Sequence, residues 1–493
     1  MEHKPFFENT STTDFRKLDL PLALTFDDVL LVPNHSPVSS RKNCNTTTLL
    51  TRKIPLSIPI ISSNMDTVTE TAMAISMARE GGIGIIHRFM TIEEQVKQVN
   101  SVKRSESILI ENPYTLPKTA QLQDVWQLQK EKSISSILVV ENNRKLVGIL
   151  TARDLLFEED PNTEISELMT KDLIIASPNI ELSEAKELLH KNRIEKLPLV
   201  DTEGHLKGLI TSKDLTKAKL WPNATKDEKG RLRVGAAIGV KNEFLERANQ
   251  LFNAECDVIV VDVAHGHSDL VIHTIKSLRK EFGDDVQLIA GNVATADGTS
   301  ELISQGVDAV KVGVGPGSIC ITRIVAGAGV PQLTAINDSF IVAKDEKIPL
   351  VGDGGIRTSG DIAKAIAVGA STVMLGNLLA GTTESPGVPV TRNGRRVKII
   401  RGMASLGASL GRDKRTTGSV DDEFSNIIPE GVEAIVPFRG ATKEILQQLV
   451  GGLQSGMSYV GATTIPDMWE LAKFTRITQA GKLESKSHDV EKV

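Results

Sequence analysis

One of the three cysteines in this 493-residue sequence lies in a loop rich in glycine. Cys320 follows the run Gly315-Pro316-Gly317-Ser318, whereas a buried cysteine usually occupies an apolar strand or helix as a small hydrophobic residue. Glycine lacks the side chain that would keep a ligand away from the backbone, so this loop can approach a bound molecule closely. Because a thiolate is a good nucleophile, Cys320 is a candidate for covalent catalysis.

Two further glycine-rich turns follow the cysteine loop. The first offers the backbone N–H groups of Gly354 and Gly355, and the second offers those of Gly376 and Asn377. Such groups can bind a phosphate, and Asp353, directly before the first turn, is placed to bind the diol of a ribose. Glycine also occurs in ordinary turns, so the signal comes from combining the turns with the cysteine loop. Together they predict a nucleoside monophosphate beside a thiolate.

Short apolar segments precede these turns and recur along the chain. They are LSIPIIS, GIGIIH, RVGAAIGV, CDVIVVDVAHG, VQLIAGNVAT, DAVKVGVGPG, IPLVGDGGI and STVMLGNLLAG. Nearly continuous apolar strands that alternate with helices are typical of a buried parallel sheet. About eight such units over roughly 380 residues favour an α/β fold of the (β/α)8 barrel type over a doubly wound sheet.

The barrel prediction also gathers the polar residues at one face. Asp262, Asn292, Cys320, Asp353 and Gly376 all follow or end an apolar segment. In a (β/α)8 barrel the C-terminal ends of the strands form the active-site face. We therefore expect these residues to lie close together.

A duplicated segment interrupts the barrel pattern. Residues 133–155 and 193–215 align at a spacing of 60 residues, and each has two apolar runs, a polar turn and a final Thr-x-x-Asp. An amphipathic helical pattern precedes each copy. Since one β-β-α unit cannot bury its apolar face alone, the two copies should pack as a pair.

The duplication divides the sequence into a barrel and an insert. We predict a first barrel part at 1–112, a tandem module at about 113–217 with units at about 113–165 and 166–217, and a second barrel part at 218–493.

Composition and charge exclude several classes of protein. A hydrophobic content of 40% with 24% charged residues indicates a globular protein with a sizeable core. The net charge of −5, with both signs interspersed, argues against a nucleic-acid or membrane-binding surface. Cys44, Cys256 and Cys320 are far apart, which predicts free thiols in a reducing compartment. With no apolar leader and no peroxisomal signal, we expect a cytoplasmic protein without a transmembrane segment.

Motifs along nearly the whole sequence resemble the IMP dehydrogenase/GMP reductase family. They are LTFDDVLLVP, SNMDTVTE, GGIGIIHRF, AHGHSD, AGNVAT, VGVGPGSICITR, GVPQLTAI, DGGIRTSGDIAKAIAVGA and IIPEGVE. The duplicated insert resembles a tandem CBS pair, or Bateman module, which some members of this family carry within the barrel. The resemblance implies that the Cys320 thiolate attacks C2 of a purine monophosphate, and that a nicotinamide cofactor exchanges hydride at that carbon.

The resemblance also implies roles for individual residues. Positions that match nucleotide-binding residues of the family are Ser63, Met65, Ser318, Asp353, Gly355, Gly376, Asn377, Gly402 and Met403. Asp262 and Asn292 match the cofactor side of the site. The backbone carbonyls of Gly315, Gly317 and Cys320 resemble the potassium site of the family.

Three acidic positions and one hydroxyl complete the predicted sites. Thr322 puts a hydroxyl near the covalent adduct, and Glu430 can pair with it to pass protons. Without the resemblance, Thr322 would be interpreted as a helix cap and Glu430 as a solvated loop residue. In the module, Asp154 and Asp214 match carboxylates that hold a nucleotide ribose, although either could instead cap the following helix.

The flap at about 401–440 bears on which reaction the protein carries out. The two reactions of the family share the covalent intermediate, but the dehydrogenase must hydrolyse it, and the resemblance implies an Arg-Tyr pair on the flap for that step. This flap contains no tyrosine, and the two tyrosines of the chain, Tyr114 and Tyr459, lie elsewhere. Arginine alone is a poor base because its pKa exceeds about 12. We therefore expect reductive deamination of GMP to IMP and ammonia, with NADPH.

Two alternative functions stay open. The insert favours an IMP dehydrogenase that uses NAD, because most CBS-bearing members of the family are dehydrogenases. A sensor that binds purine nucleotides without catalysis is the third possibility, and the set Cys320, Thr322 and Glu430 argues against it. The resemblance further implies a homotetramer or octamer, bound potassium, and regulatory purine nucleotides at the CBS module.

Overall fold

Eight parallel strands form a closed barrel in the computed structural model. The structure describes residues 21–106, 109–110, 113–132, 134–212, 215, 220–241, 243–405, 407–408 and 428–486. The barrel strands are β1 (Ile60–Ser62), β2 (Ile83–Ile86), β3 (Gly235–Ile238), β4 (Val258–Asp262), β5 (Gln287–Val293), β6 (Ala309–Val312), β7 (Leu350–Asp353) and β8 (Thr372–Leu375). Each predicted apolar segment contributes one strand, so the predicted (β/α)8 barrel is confirmed.

A helix on the outside of the barrel follows each strand. These helices are α1 (Thr71–Arg79), α2 (Ile92–Ser105), α3 (Phe244–Asn253), α4 (Asp269–Phe282), α5 (Ala296–Ser304), α6 (Gln332–Asp345), α7 (Ser359–Ala367) and α8 (Thr442–Val460). Capping boxes fix where some of them begin. The Thr91 hydroxyl accepts the Glu94 N–H at 3.2 Å while the Glu94 carboxylate accepts the Thr91 N–H at 3.3 Å, and Thr358 and Asp361 form the same motif. Each such cap contributes about 1 kcal/mol to the stability of its helix.

A hairpin closes the N-terminal end of the barrel. Its strands are Thr48–Leu49 and Pro55–Leu56, and its buried Leu50 and Ile54 belong to the apolar cluster inside the barrel. The Thr48 hydroxyl donates to the carbonyl of Ser371, directly before β8, at 2.8 Å. Since this end is filled, the C-terminal end of the strands is the one left for a binding site.

Two small sheets lie between β2 and β3 in the chain. The first contains Thr115–Pro117, Ser136–Glu141 and Lys145–Thr151, and the second contains Leu109–Ile110, Lys196–Val200 and Leu206–Thr211. The accompanying helices are Leu122–Lys132, Ile165–Leu168 and Leu182–Lys191, with a 3-10 turn at Asn142–Arg144. Equivalent elements of the two units are 60 residues apart, as in the sequence repeat.

The two units of the insert contact each other. Leu138 and Ile149 of the first unit share a buried cluster with Leu206 and Leu209 of the second. The structure therefore has the two copies packed as a pair. The domain boundaries and the assignment as a CBS module stay predictions.

The ends of the insert meet at the N-terminal end of the barrel. Lys103 of α2, before the insert, has its Nζ 3.0 Å from Oδ2 of Asp227, which follows the insert, and 2.6 Å from Oδ2 of Asp257. Arg79, at the end of α1, pairs with Glu106 at 2.6 Å. The insert thus leaves and re-enters the barrel at neighbouring points.

A three-stranded antiparallel sheet follows β8 and carries the predicted flap. Its strands are Val390–Arg392, Arg395–Arg401 and Glu433–Pro437. We call the last two strands the flap stem. Residues 406 and 409–427 of the predicted flap, like Asp214 of the insert, lie outside the described residues.

The remaining elements are short. They are 3-10 turns at Phe26–Asp28 and Arg41–Asn43, a strand pair Val29–Leu31 with Phe474–Arg476, and helices Thr322–Val325, Asn377–Ala380, Ile465–Leu471 and Gln479–Glu484. Across the described ranges, none of the helices has both the length and the apolar composition needed to span a bilayer.

Candidate active site

The cysteine loop leaves the C-terminal end of β6 and rests on the turn after β7. Gly313 has φ +149°, and a Cβ there would lie 2.0 Å from the carbonyl oxygen of Asp353. A Cβ on Gly354, which has φ +96°, would lie 2.9 Å from Cγ of Pro316 and 3.2 Å from the nitrogen of Gly317. Only glycine allows both the left-handed backbone and this approach. The cysteine loop and the first glycine turn therefore form one continuous surface, as their combination in the sequence predicts.

Cys320, Thr322 and Glu430 form a hydrogen-bonded chain. The Cys320 thiol donates to Oγ1 of Thr322 at 3.2 Å, and the Thr322 hydroxyl donates to Oε2 of Glu430 at 2.7 Å. Short backbone bonds hold the two segments together, from Ile321 N to Glu430 O at 2.8 Å and from Val432 N to Ile319 O at 3.0 Å. A proton can pass along this chain between sulfur and carboxylate. The structure thus brings Glu430 to Thr322, although 108 residues separate them in the sequence.

The three cysteines differ in their surroundings. Cys44 and Cys256 are buried, and Cys320 is half-buried at the mouth of the barrel. Burial raises the pKa of Cys44, and burial together with the neighbouring Asp257 carboxylate raises the pKa of Cys256 to about 12. A buried thiol with a raised pKa is inert as a nucleophile, so Cys320 is the thiol available for chemistry.

Lys311 links the predicted substrate side of the site to the predicted cofactor side. Its Nζ lies 2.7 Å from Oδ1 of Asp262 and 2.7 Å from Oδ2 of Asp353, and it also donates to Oδ1 of Asn292. The Asn292 amide donates to the same Asp353 oxygen at 2.9 Å, and the Asn64 amide donates to Asp262 at 2.8 Å. Three residues that the sequence predicts for the site therefore meet at one ammonium group.

Charge attraction outweighs burial in this cluster. Burial alone would raise the pKa of Asp262, but the charge and hydrogen bond of Lys311, with the Asn64 amide, hold it below its usual value. Burial alone would lower the pKa of Lys311, but the charges of Asp262 and Asp353 raise it above its usual value. Asp262 and Lys311 are therefore ionised, with Lys311 only 2% exposed.

Lys311 was not among the site residues predicted from the sequence. It stands in the apolar segment DAVKV, where every strand residue is buried. A lysine is almost never buried without a charged partner, so a lysine in the middle of a fully apolar strand is the signal that could have pointed to it.

The predicted nucleotide-binding residues after β1 and β8 are neighbours. A Cβ on Gly376 would lie 3.1 Å from Sδ of Met65 and 3.8 Å from Cβ of Ser63. The Ser63 N–H donates to the carbonyl of Leu375 at 3.0 Å, which joins the ends of these two strands. Asn377 begins the four-residue helix after Gly376.

The other predicted nucleotide-binding residues lie around the cysteine loop. Gly402 is buried where the flap stem reaches this loop, and a Cβ on it would lie 3.2 Å from both the Ile319 carbonyl oxygen and Cα of Gly431. Met403 is half-buried beside it, and Ser318 is exposed. The ligand-binding roles of all these residues stay predictions.

The residues at the predicted cofactor and potassium sites have the chemistry that these two ligands need. Asp262 keeps a 20% exposed, ionised carboxylate at the end of β4, which suits the hydroxyls of a ribose. The carbonyls of Gly315, Gly317 and Cys320 are oxygen donors of the type that potassium takes. Within the parts of the chain that the structure describes, no three His, Cys, Asp or Glu side chains are grouped to hold a metal ion.

In the insert, the carboxylate of Asp154 is bonded within its own unit. Its Oδ2 accepts the Thr151 N–H at 2.7 Å and the Thr151 hydroxyl at 2.6 Å, and its Oδ1 accepts the Thr170 hydroxyl at 3.2 Å. The carboxylate thus closes the turn that the Thr-x-x-Asp motif forms. Its predicted role in nucleotide binding stays a prediction.

A (β/α)8 barrel with a thiol, a hydroxyl and a carboxylate in line at its C-terminal end has the arrangement that an enzyme with a cysteine nucleophile needs. Comparison with known proteins is more specific. The family model described as "IMP dehydrogenase / GMP reductase domain" matches residues 23–488. The chain therefore belongs to the IMP dehydrogenase/GMP reductase family, whose members are oxidoreductases acting on IMP or GMP, and the predicted family is confirmed.

Individual relatives carry both names of the family. The chain is 56% identical to an inosine-5'-monophosphate dehydrogenase of Nitrosopumilus maritimus, over 95% of this chain and 98% of the relative. It is 49% identical to a GMP reductase of Leishmania donovani, over 96% of this chain and 98% of the relative. A crystal structure of a cysteine-to-alanine variant of Trypanosoma brucei GMP reductase, in complex with guanosine 5'-monophosphate, matches with a TM-score of 0.89 at 48% identity, covering 96% of this chain and 99% of that one.

Proposed function

We propose that this protein is a GMP reductase, which converts GMP to IMP and ammonia with NADPH. The observation that carries the proposal is the lack of any tyrosine in the flap at 401–440. The Tyr114 hydroxyl accepts a hydrogen bond from Arg104 at the end of α2, and Tyr459 lies at the C-terminal end of α8. Neither tyrosine therefore belongs to the flap. The flap thus lacks the phenol that the hydrolytic reaction of the family uses with arginine.

The first half of the reaction uses the chain from sulfur to carboxylate. The proton of the Cys320 thiol passes through the Thr322 hydroxyl to Glu430, and the sulfur bonds to C2 of the purine. Glu430 then returns a proton through the same hydroxyl to the 2-amino group, which leaves as ammonia with the electron pair of its C–N bond. The product of this half-reaction is a purine joined to Cys320 through a C–S bond.

The second half releases Cys320 as a thiolate, which then takes up a proton to regenerate the thiol. When bound, NADPH supplies the hydride that C2 receives. Cys320 then leaves C2 with the electron pair of the C–S bond, and IMP is released. The residues around Lys311 orient the substrate and the cofactor for this step. Asp353 is predicted to hold the ribose of the substrate, and Asp262 that of the cofactor. The Lys311 ammonium fixes both carboxylates relative to each other. Overall, GMP and NADPH consume two protons and give IMP, NADP⁺ and ammonium.

IMP dehydrogenase is the second candidate, and a specific observation favours it. The identity to the dehydrogenase of N. maritimus, 56%, exceeds the 49% to the reductase of L. donovani. In that reaction water would attack the covalent adduct, and Thr322 with Glu430 would have to accept its proton without help from a tyrosine.

A paired assay separates the two candidates. The full-length protein is supplied with GMP and NADPH, and separately with IMP and NAD, while the nicotinamide absorbance is followed and the purine products are separated by chromatography. We expect NADPH oxidation with IMP and ammonia as products. Steady production of xanthylate from IMP, with no consumption of GMP, would contradict the proposal.

We also propose that the insert is a CBS module that binds regulatory purine nucleotides, and that the protein is a cytoplasmic, potassium-dependent homotetramer or octamer. The repeat spacing and the packing of the two units support the module, and the carbonyl donors support potassium. Light scattering with and without ATP or GTP, together with activity in sodium against potassium buffer, tests these points. A monomer unaffected by either nucleotide, and equally active in both salts, would contradict them.

A further inference from the structure

An ion pair with a buried carboxylate joins the loop that follows β1 to the flap stem. The Asp66 side chain is 3% exposed, and its Oδ2 accepts Nε of Arg401 at 2.8 Å as well as Nη2 of the same guanidinium. Its Oδ1 is buried without a hydrogen-bond partner among the described residues. Burying a carboxylate with half of its acceptor sites unused costs free energy. Stability alone therefore does not explain this pair.

The position of the pair relates it to the site. Asp66 directly follows Met65, which packs at Gly376. Arg401 is the last residue of its strand, and its N–H donates to the Thr67 hydroxyl at 3.3 Å. Side chain and backbone of Arg401 thus hold the same loop.

Arg401 is connected to Glu430 through backbone bonds alone. The next residue, Gly402, donates to the carbonyl of Val432 at 3.0 Å, and the Glu430 N–H donates to the carbonyl of Ala404 at 3.1 Å. Both segments pack on the cysteine loop at Gly402. A shift of Arg401 would therefore move the backbone that carries Glu430 relative to Thr322.

We propose that the Asp66–Arg401 ion pair positions Glu430 for proton transfer to the departing ammonia. Asp66 and Arg401 are positioning residues, because they act through the flap stem. The inference rests on the proposed function, since it assigns the pair to the half-reaction in which Glu430 acts. Hydride transfer at C2 does not need Glu430, so the pair should matter to one half-reaction only.

Two variants and one matched control test this role in the full-length protein. Asp66→Asn removes the charge and keeps the shape, and Arg401→Lys keeps the charge but removes the forked donors. Asp308→Asn is the control, because Asp308 is also 3% exposed and pairs with arginines, but at the opposite end of the barrel.

The two half-reactions give different expected results. With GMP and NADPH, we expect kcat of Asp66→Asn to fall about 10- to 100-fold, as for a misplaced catalytic group. When the Cys320 adduct is first formed by long incubation with IMP and NADP⁺, its reduction to IMP by excess NADPH should proceed at the wild-type rate, because hydride addition and departure of the sulfur need no proton from Glu430. Asp308→Asn should behave as wild type in both assays. Equal losses in the two half-reactions, or no loss in either, would overturn the proposal.

A double variant isolates the path through Glu430. In a Glu430→Gln background, adding Asp66→Asn should cause no further loss, because the group that it positions is gone. Independent, multiplicative losses would overturn the proposal, and if Asp66→Asn does not fold, Arg401→Lys takes its place in the cycle. If the wild-type protein makes xanthylate, the proposed function fails. The same double-variant cycle is then measured on the rate of hydrolysis of the adduct, and its result tests the positioning role separately.

Discussion

Replacing Lys311 with methionine tests the charged centre of the site. The ammonium lies 2.7 Å from each of two carboxylates, those of Asp262 and Asp353, and is 2% exposed. Methionine fills much of the same volume but leaves both carboxylates without their cation. Removing one partner of a buried ion pair costs about 3–5 kcal/mol, because the remaining charge is uncompensated. We expect a loss of that size in the free energy of unfolding at neutral pH.

The sign of the pH dependence follows from the Asp262 pKa. In wild type, burial opposes ionisation of Asp262, but Lys311 holds its pKa below the usual value. The ionised carboxylate therefore stabilises the fold above the pKa of an unfolded aspartate. That stabilisation is lost as the pH falls through the folded-state pKa. Without Lys311, burial raises the pKa of Asp262, and the variant relieves its buried charge by taking up a proton. The stability difference between variant and wild type should therefore narrow from about pH 7 to about pH 5.

Lys103 supplies a matched control for this experiment. It is 4% exposed and also pairs with two aspartates, Asp227 and Asp257, but it lies at the N-terminal end of the barrel. Lys103→Met should lose stability on a similar scale and keep its affinity for GMP, whereas Lys311→Met should lose both. Urea unfolding followed by circular dichroism, with GMP titrations by calorimetry, makes the comparison. A Lys311→Met protein as stable as wild type, or a difference that widens on acidification, would refute the electrostatic argument.

Three further predictions concern the cysteine loop. Cys320→Ser should bind GMP with unchanged affinity in calorimetry but show no turnover, and residual turnover would remove covalent catalysis from the mechanism. Gly354→Ala should lower turnover, because its Cβ would lie 2.9 Å from Cγ of Pro316 and displace the loop. Gly387→Ala is the control, since Gly387 also has a positive φ, +81°, but a Cβ there would have nothing within 4 Å. It should cost only the backbone strain of about 1 kcal/mol and keep full activity. Alkylation of native protein followed by peptide mapping should modify Cys320 well before Cys256, whose pKa is about 12, and equal rates would contradict the assignment of reactivity.

The barrel could be predicted from the sequence because each strand is a short apolar run that ends in a polar or glycine residue. In a parallel sheet covered by helices both faces of a strand are buried, so the pattern is continuous and easy to recognise. The cysteine loop and the glycine turns were predictable for a related reason, since positive φ angles and close approaches, as at Gly354, require glycine whatever surrounds them.

The polar contacts of the site were harder to predict. Lys311 is one lysine in a strand, and its meaning depends on Asp262 and Asp353, which reach it only when neighbouring strands close the barrel. The Asp66–Arg401 pair joins residues 335 positions apart, and neither side chain is unusual in its own segment. Glu430 was found through the resemblance to a family, because no local pattern distinguishes it from a solvated loop residue.

The adjoining ends of the insert have a consequence for how this architecture arose. Because Lys103 and Asp227 touch across the point of insertion, a barrel gene could gain or lose the whole intervening segment in a single recombination event. The junction would need only a short peptide to span it, and the strand order would not change. The barrel and the insert can therefore change independently in evolution although they belong to one polypeptide.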